Sequence, residues 1–404
     1  MYRLISFFGL FVMIGLAWCM SSHRWRVNLR VVIGGVLLQF LLAIVILRTE
    51  PGRALFAGIG DIFETLLGFI DVGAVFVFGE NFREHYFAFK VLPTIIFFSS
   101  LMSILYYLRI MQVVVWVFGR IVQRTLHTTG PESLAAAANI FLGQTEAPLV
   151  VRPYVRNMTE SELMAIMVPG FGSTAGGVLA AYIGMGIDAG HLVAASVLSA
   201  PAGLLIAKVM VPETEPVRDS SEIEVHAEEL GENIIEAASI GATEGMKLAV
   251  NVAAMLLAFL ALIAMCNAMV GWVGGQFGQA WSVSAALAYL FAPLAWLMGV
   301  EPADCLNVGE LLGIRMVTNE FVAYQQFSEW LHEDSAVHLS ERSQVILTYA
   351  LCGFANFSSI GIQIGGIGAM APERRADLAR LGLRAMLGGT LACFMTACIA
   401  GILI

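Results

Sequence analysis

The chain has 404 residues, of which 58% are hydrophobic and 13% charged, with a formal net charge of −9. Soluble domains carry about 25% charged residues, so this composition, with a mean hydropathy of +0.79, excludes a soluble globular protein. No basic patch is present, which argues against nucleic acid as a partner.

Apolar runs of bilayer length, about 17–25 helical residues, fall at 4–20, 31–47, 91–108, 163–183, 192–211, 248–273, 345–367 and 385–404. An all-α polytopic membrane protein with about eight transmembrane helices is therefore expected. The first run is longer than the apolar region of a cleaved signal and is read as a retained helix. Arginines mark short cytoplasmic loops. Arg24, Arg26 and Arg30 follow the first run, and Arg374, Arg375, Arg380 and Arg384 precede the last. Both termini are thus expected outside. Between the second and third runs, residues 54–79 mix apolar residues at helical spacing with Asp61, Glu64 and Asp71, the pattern of a helix lying along the interface.

Residues 132–158 are too short to cross twice. A good helix-forming run, 133–141, leads to Gly143-Gln144-Thr145-Glu146, then Pro148 and a second apolar piece at 149–155. The pattern predicts a re-entrant helical hairpin with a polar tip, Thr145 capping the second half and Pro148 in its first turn. The next span is interrupted by Pro169-Gly170-Phe171-Gly172-Ser173-Thr174-Ala175-Gly176-Gly177, and irregular backbone at membrane depth survives only inside protein or along a cavity. Between the two halves, nine Asp and Glu residues lie in 213–236 with Arg218 as the one cation, a solvated linker. The same parts then recur. Segments 304–318 and 321–330 flank Thr318-Asn319-Glu320, and a later span breaks at Phe354-Ala355-Asn356-Phe357-Ser358-Ser359. Two re-entrant hairpins and two broken helices, expected as an inverted repeat, are the best sequence pointer to a transporter site.

Intramembrane carboxylates are costly, on the order of 2.5–3.5 kcal/mol on insertion scales. Glu146 and Glu320 at the two tips are thus read as substrate acceptors or proton carriers. Gln144, Thr145, Asn319, Asn356, Ser358 and Ser359 add donors and acceptors suited to a neutral, hydroxyl-rich, planar solute. Arg152, Arg156 and Arg315 lie off the tips and read as helix-end anchors. Asn139, Ser173 and Thr174 offer hard oxygens beside unwound backbone, which suits sodium, while Asn139 taken singly reads equally well as a helix-packing amide. Val178 and Phe354 read equally well as core residues. The cysteines Cys19, Cys266, Cys305, Cys352, Cys393 and Cys398 form no CxxC pair and read as packing residues.

At these residues the chain resembles the concentrative nucleoside transporter family. Gly143-Gln144-Thr145-Glu146 is similar to its first-hairpin motif. Gly313-x-Arg315-x-x-x-Asn319-Glu320-Phe321-Val322-Ala323-Tyr324 resembles its signature G-x-K-x3-N-E-F-V-A-[YMF], with arginine in place of lysine. Phe354-Ala355-Asn356 followed by Ser358-Ser359 matches as well. The resemblance implies sodium-coupled nucleoside import, with Gln144, Thr145 and Glu146 facing the base, Val178 and Phe354 packing on it, and Glu320, Asn356 and Ser359 holding the ribose. It implies sodium at Asn139, Ser173 and the backbone oxygens of Leu142 and Thr174, and no prosthetic group. It further implies a homotrimer in a bacterial inner membrane, with a fixed scaffold and a transport domain moving as an elevator. Uridine and cytidine are the expected substrates, adenosine a further candidate. On that frame, residues 1–52 hold two transmembrane helices and 53–130 the interfacial helix and a scaffold helix. The first repeat covers 131–212, an acidic cytoplasmic linker 213–243, a scaffold and a connecting helix 244–300, and the second repeat 301–404.

Three other readings lose on the same residues. A dicarboxylate or amino-acid transporter would want a cation at a hairpin tip. An intramembrane enzyme would want an HExxH pair or a serine with a partner base. A channel does not account for paired breaks with charged tips.

Overall fold

A computed structural model describes residues 1–85, 87–215, 231–279, 281–332 and 334–404, and every regular element among the described residues is helical. Part of the expected acidic linker, 216–230, lies outside them.

The chain opens with α1 (Tyr2–Cys19), α2 (Leu29–Arg48) and α3 (Glu50–Phe78). Asn28 caps α2 through its side chain, and Thr49 caps α3 with Pro51 in the first turn, as helix starts favour. Helix α3 buries Leu67, Ile70 and Ala74, one narrow stripe at i, i+3 and i+7. Its Asp71 pairs with Lys90, ahead of α4 (Leu92–Tyr107) and α5 (Ile110–Leu126).

The first half of the repeat pattern follows as α6 (Gly130–Ala138), a tight turn Ala147–Val151, α7 (Arg152–Val155), α8 (Glu160–Gly172), α9 (Gly176–Gly184) and α10 (Ala189–Met210). The 43-residue α11 (Ile234–Gln276) comes next and lies along α4. Gly241 and Gly245 make this possible. A Cβ on Gly241 would sit 2.6 Å from the Ser99 carbonyl oxygen, and one on Gly245 2.8 Å from the Ile96 Cα. Small residues four apart let two helical backbones approach in this way. Then come α12 (Val283–Met298), α13 (Cys305–Val317), α14 (Glu320–Trp330), α15 (Glu341–Leu351), α16 (Phe357–Met370) and α17 (Arg375–Leu403).

Helices α8, α10 and α17 are buried along most of their length and form the centre. Outer helices bury a stripe and turn apolar side chains outward, among them Phe8, Ile33, Leu257 and Met269. Such all-round apolarity suits lipid on the outside and protein within. Seven helical stretches among the described residues are long and apolar enough to cross a membrane, against about eight expected. The difference arises at 345–367, where the expected break separates α15, which ends at Leu351, from α16, which starts at Phe357, so that neither piece alone has bilayer length.

Two capping boxes hold the base of the first half together. Thr129 and Glu132 cap α6, and Thr159 and Glu162 cap α8, each satisfying two orphan amides. Lys208 of α10, 8% exposed, forms an ion pair with buried Glu132 and donates to Ser161 Oγ at 3.0 Å. Removing one partner of a buried pair strands the other charge, at about 3–5 kcal/mol. Lys208→Met is therefore expected to lower the melting temperature of the purified protein markedly. An unchanged melting curve would show that the pair contributes nothing.

Candidate functional site

The chain reverses at 139–146, where α6 gives way to the Ala147–Val151 turn packed beside it. The tip is closed by its own backbone: Glu146 N and Ala147 N both donate to Gly143 O, at 3.1 and 3.0 Å, and Leu149 N donates to Glu146 O at 3.0 Å. These bonds already use the first amides of the turn. That is why Thr145, expected as the cap, does not serve as one: the turn begins at Ala147, and Glu146 holds the cap position without a side-chain cap bond. The Glu146 carboxylate accepts from Gly143 N at 3.3 Å and is otherwise exposed.

The second reversal lies at Thr318-Asn319, between α13 and α14. Asn319 Oδ1 accepts from Val322 N at 3.0 Å and caps α14, whose first residue is Glu320. A helix N-terminus is the end that favours a carboxylate. Glu320 is only 4% exposed. Its Oε1 accepts from Tyr182 Oη at 3.3 Å and its Oε2 from Asn356 Nδ2 at 2.9 Å.

From Asn356 the hydrogen bonds run on. Asn356 Oδ1 accepts from Ser358 Oγ at 2.6 Å and from Ser359 N at 2.9 Å, so it also caps α16. Gln144 Nε2 donates to Ser359 Oγ at 3.0 Å, and Gln363 Nε2 donates to Gln144 Oε1 at 3.2 Å and to Met167 O at 3.1 Å. Both reversals and the second break are thereby joined in one polar chain. A buried chain of this kind fixes side-chain positions, although Gln363 Oε1 at its end has no partner.

All eight residues expected at the substrate, Gln144, Thr145, Glu146, Val178, Glu320, Phe354, Asn356 and Ser359, line one cavity of about 800 Å³. Ligand pockets run from about 300 to 1,000 Å³. Val178 is buried and Phe354 half-buried, so apolar surface lines the cavity together with the carboxylates. The cavity can take a planar polar group against the Gln144–Glu146 tip and a hydroxyl-bearing group against Glu320 and Asn356.

The residues expected around sodium gather beside it. Gly176 N donates to Phe141 O at 3.0 Å, which brings the first break against the first tip. Leu142 lines the cavity, whereas Ser173 and Thr174 are buried behind it. Ser173 Oγ donates to Pro169 O at 2.9 Å, and Thr174 Oγ1 lies 3.6 Å from Cys352 Sγ. Asn139 is fully buried. Its Nδ2 donates to Ala135 O at 3.0 Å, but its Oδ1 has no partner. An unpaired buried acceptor costs about 1–3 kcal/mol, and a hard cation would satisfy it. The donor set fits sodium.

Arg315 is not a helix-end anchor. It is 1% exposed, and it donates to Ala350 O at 2.6 Å and Gly353 O at 3.3 Å. The break after α15 orphans carbonyls, and the guanidinium satisfies them. Arg156 is exposed and pairs with Glu373 at 2.8 Å.

The opposite wall was missed from sequence. Tyr106, Gln112, Glu244, Lys247 and Asn251 also line the cavity, with Glu244 and Lys247 paired at 2.6 Å. Polar residues at 244, 247 and 251 are spaced i, i+3 and i+7, which places them on one face of α11. That spacing was the available signal. Tyr182 and Gln363 carried a weaker one, as polar residues inside apolar runs.

Comparison with known proteins agrees with this geometry. The family model for the C-terminus of Na+ dependent nucleoside transporters matches residues 191–401, the model for their N-terminus residues 8–81, and a nucleoside recognition gate model residues 88–189. Solute carrier family 28 member 3 from Eptatretus stoutii is 46% identical over 99% of the chain, and the Homo sapiens protein of that name also 46%. The chain spans 60% of the length of each. An uncharacterized transporter from Haemophilus influenzae is 47% identical over 99% of this chain and 98% of its own. Among solved structures, CNTnw in an inward-facing substrate-bound state has a TM-score of 0.93 at 44% identity, covering 100% of this chain and 98% of that one. A CNTnw variant in an outward-facing state has a TM-score of 0.95 at 44% identity, over 100% and 99%.

Proposed function

Since the chain belongs to the Na+-dependent nucleoside transporter family, we propose that it imports nucleosides by sodium symport. The observation that carries this reading is the polar chain from Glu320 through Asn356 and Ser359 to Gln144, along a cavity of about 800 Å³. Glu320 accepts the ribose hydroxyls, aided by Asn356 and Ser359. Gln144, Thr145 and Glu146 read the base edge, and Val178 and Phe354 pack on its faces. Sodium sits at Asn139, Ser173 and the carbonyl oxygens of Leu142 and Thr174, and holds the first tip in the shape that receives the base. Uridine and cytidine are the expected substrates.

Alternating access is supported by the relatives, which take inward-facing, intermediate and outward-facing states. The reading extends to an elevator movement: residues 131–212 and 301–404 travel as a transport domain along a scaffold containing α4 and α11. It places the protein as a homotrimer in a bacterial inner membrane, with both termini periplasmic.

The test is uptake of labelled uridine into proteoliposomes. An inward sodium gradient is expected to drive accumulation, and replacing sodium with choline at fixed pH to stop it. Accumulation driven by a proton gradient alone would overturn the sodium assignment.

A further inference from the structure

The two helix breaks touch through backbone as well as through the Thr174 and Cys352 side chains. Phe354 N donates to Ser173 O at 3.2 Å, so a residue placed on the nucleoside is hydrogen-bonded to one placed on sodium. The adjoining Gly353 has φ +153° and no room for a side chain. A Cβ there would lie 2.7 Å from Phe171 O and 2.9 Å from the Gly172 carbonyl carbon. Backbone thus crosses backbone at van der Waals limit.

Arg315 lies beneath this crossing. Beyond its bonds to Ala350 O and Gly353 O, its Nη2 donates to Cys393 Sγ at 3.3 Å. Cys393 of α17 in turn lies 3.2 Å from Cys352 O and 3.6 Å from Gly172 O, either of which its thiol can donate to. One guanidinium therefore reaches the second break directly and the first through a single thiol. No carboxylate among the described residues lies within ion-pair distance of it. Glu320, though outside ion-pair distance, is near enough for the two charges to interact, and the guanidinium uses three of the five donors of its rigid fork. It also stands at the C-terminal, negative end of α15.

We propose that Arg315 is a positioning residue that makes the two breaks move as one body, so that sodium at the first break sets the nucleoside face at the second. The inference rests on the symport reading above. Filling space would not require a charge; holding two orphaned carbonyls and a thiol in fixed register does.

The experiment is uridine affinity of the purified protein, with saturating sodium and with choline in its place. It compares the wild type with Arg315→Gln, Arg315→Lys and Cys393→Val. The ratio of the two affinities is the coupling factor. Arg315→Gln is expected to cut that ratio by about tenfold or more toward unity, with the loss at high sodium. Arg315→Lys keeps the charge and one carbonyl contact and should restore part of it. Cys393→Val removes the thiol's contacts to Gly172 O and Cys352 O but leaves both carbonyl bonds of Arg315, and should fall between. A wild-type ratio in Arg315→Gln overturns the proposal. So does an equal loss of affinity with and without sodium, which is what a packing defect alone would give. If Arg315→Gln does not fold, wild-type ratios in both remaining variants overturn it. A wild-type protein whose uridine affinity ignores sodium would instead defeat the symport reading, before any variant is measured.

Discussion

Glu320→Ala is expected to abolish riboside uptake. The carboxylate is 4% exposed, at the first residue of α14, and holds Asn356 Nδ2 at 2.9 Å and Tyr182 Oη at 3.3 Å. A hydrogen bond to a charged group contributes about 1.5–3 kcal/mol. Two ribose hydroxyls would therefore lose about 3–6 kcal/mol, a fall in affinity of roughly 100-fold or more. The truncation also leaves the Asn356 amide and the Tyr182 hydroxyl without their acceptor. Glu320→Gln separates charge from shape: it keeps the volume and one acceptor, and about a tenfold or larger loss is expected. The sugar supplies the decisive comparison. The wild type should reject a 2′,3′-dideoxynucleoside strongly, and Glu320→Ala should bind it about as weakly as the riboside. Wild-type uptake by Glu320→Ala, or undiminished sugar discrimination, would remove this residue from the ribose.

What the sequence made legible, and what it hid, divides along one physical line. Glu146 and Glu320 stood out because a carboxylate amid apolar residues is expensive, and around Glu146 Gly143 and Pro148 also broke helical periodicity. The interruptions at 173–175 and 352–356 appear where those signals placed them. The role of Arg315 was illegible, because a position three residues before a tip gives no hint that its side chain turns back onto carbonyls 35 and 38 residues on. Thr145 failed as a cap for the same kind of reason: the amides it would have served were taken by Gly143 O. Glu244, Lys247 and Asn251 fell at the boundary between an acidic run and an apolar helix. There a polar residue costs nothing remarkable in sequence, and only the packing of α11 against α4 turns them toward the cavity.

Asn139→Ala is expected to shift the sodium dependence without unfolding the protein. The amide is fully buried, one end tied to Ala135 O at 3.0 Å and the other, Oδ1, lacking any partner. Without sodium that oxygen is a liability of about 1–3 kcal/mol, and with it a ligand of similar value. Truncation removes both, along with one ordinary hydrogen bond. The sodium-free variant should therefore melt close to the sodium-free wild type, while the sodium needed for half-maximal uridine uptake rises by about tenfold or more. Ion binding to the folded state also raises the melting temperature by mass action, so the wild type should climb with added sodium chloride relative to choline chloride, and Asn139→Ala should climb far less. The two readouts separate the possibilities. A variant that melts low at every sodium concentration has lost packing at the first tip. One that keeps the wild-type rise with sodium places the ion elsewhere, and Asn139 would then be an amide whose orphaned oxygen serves no cation.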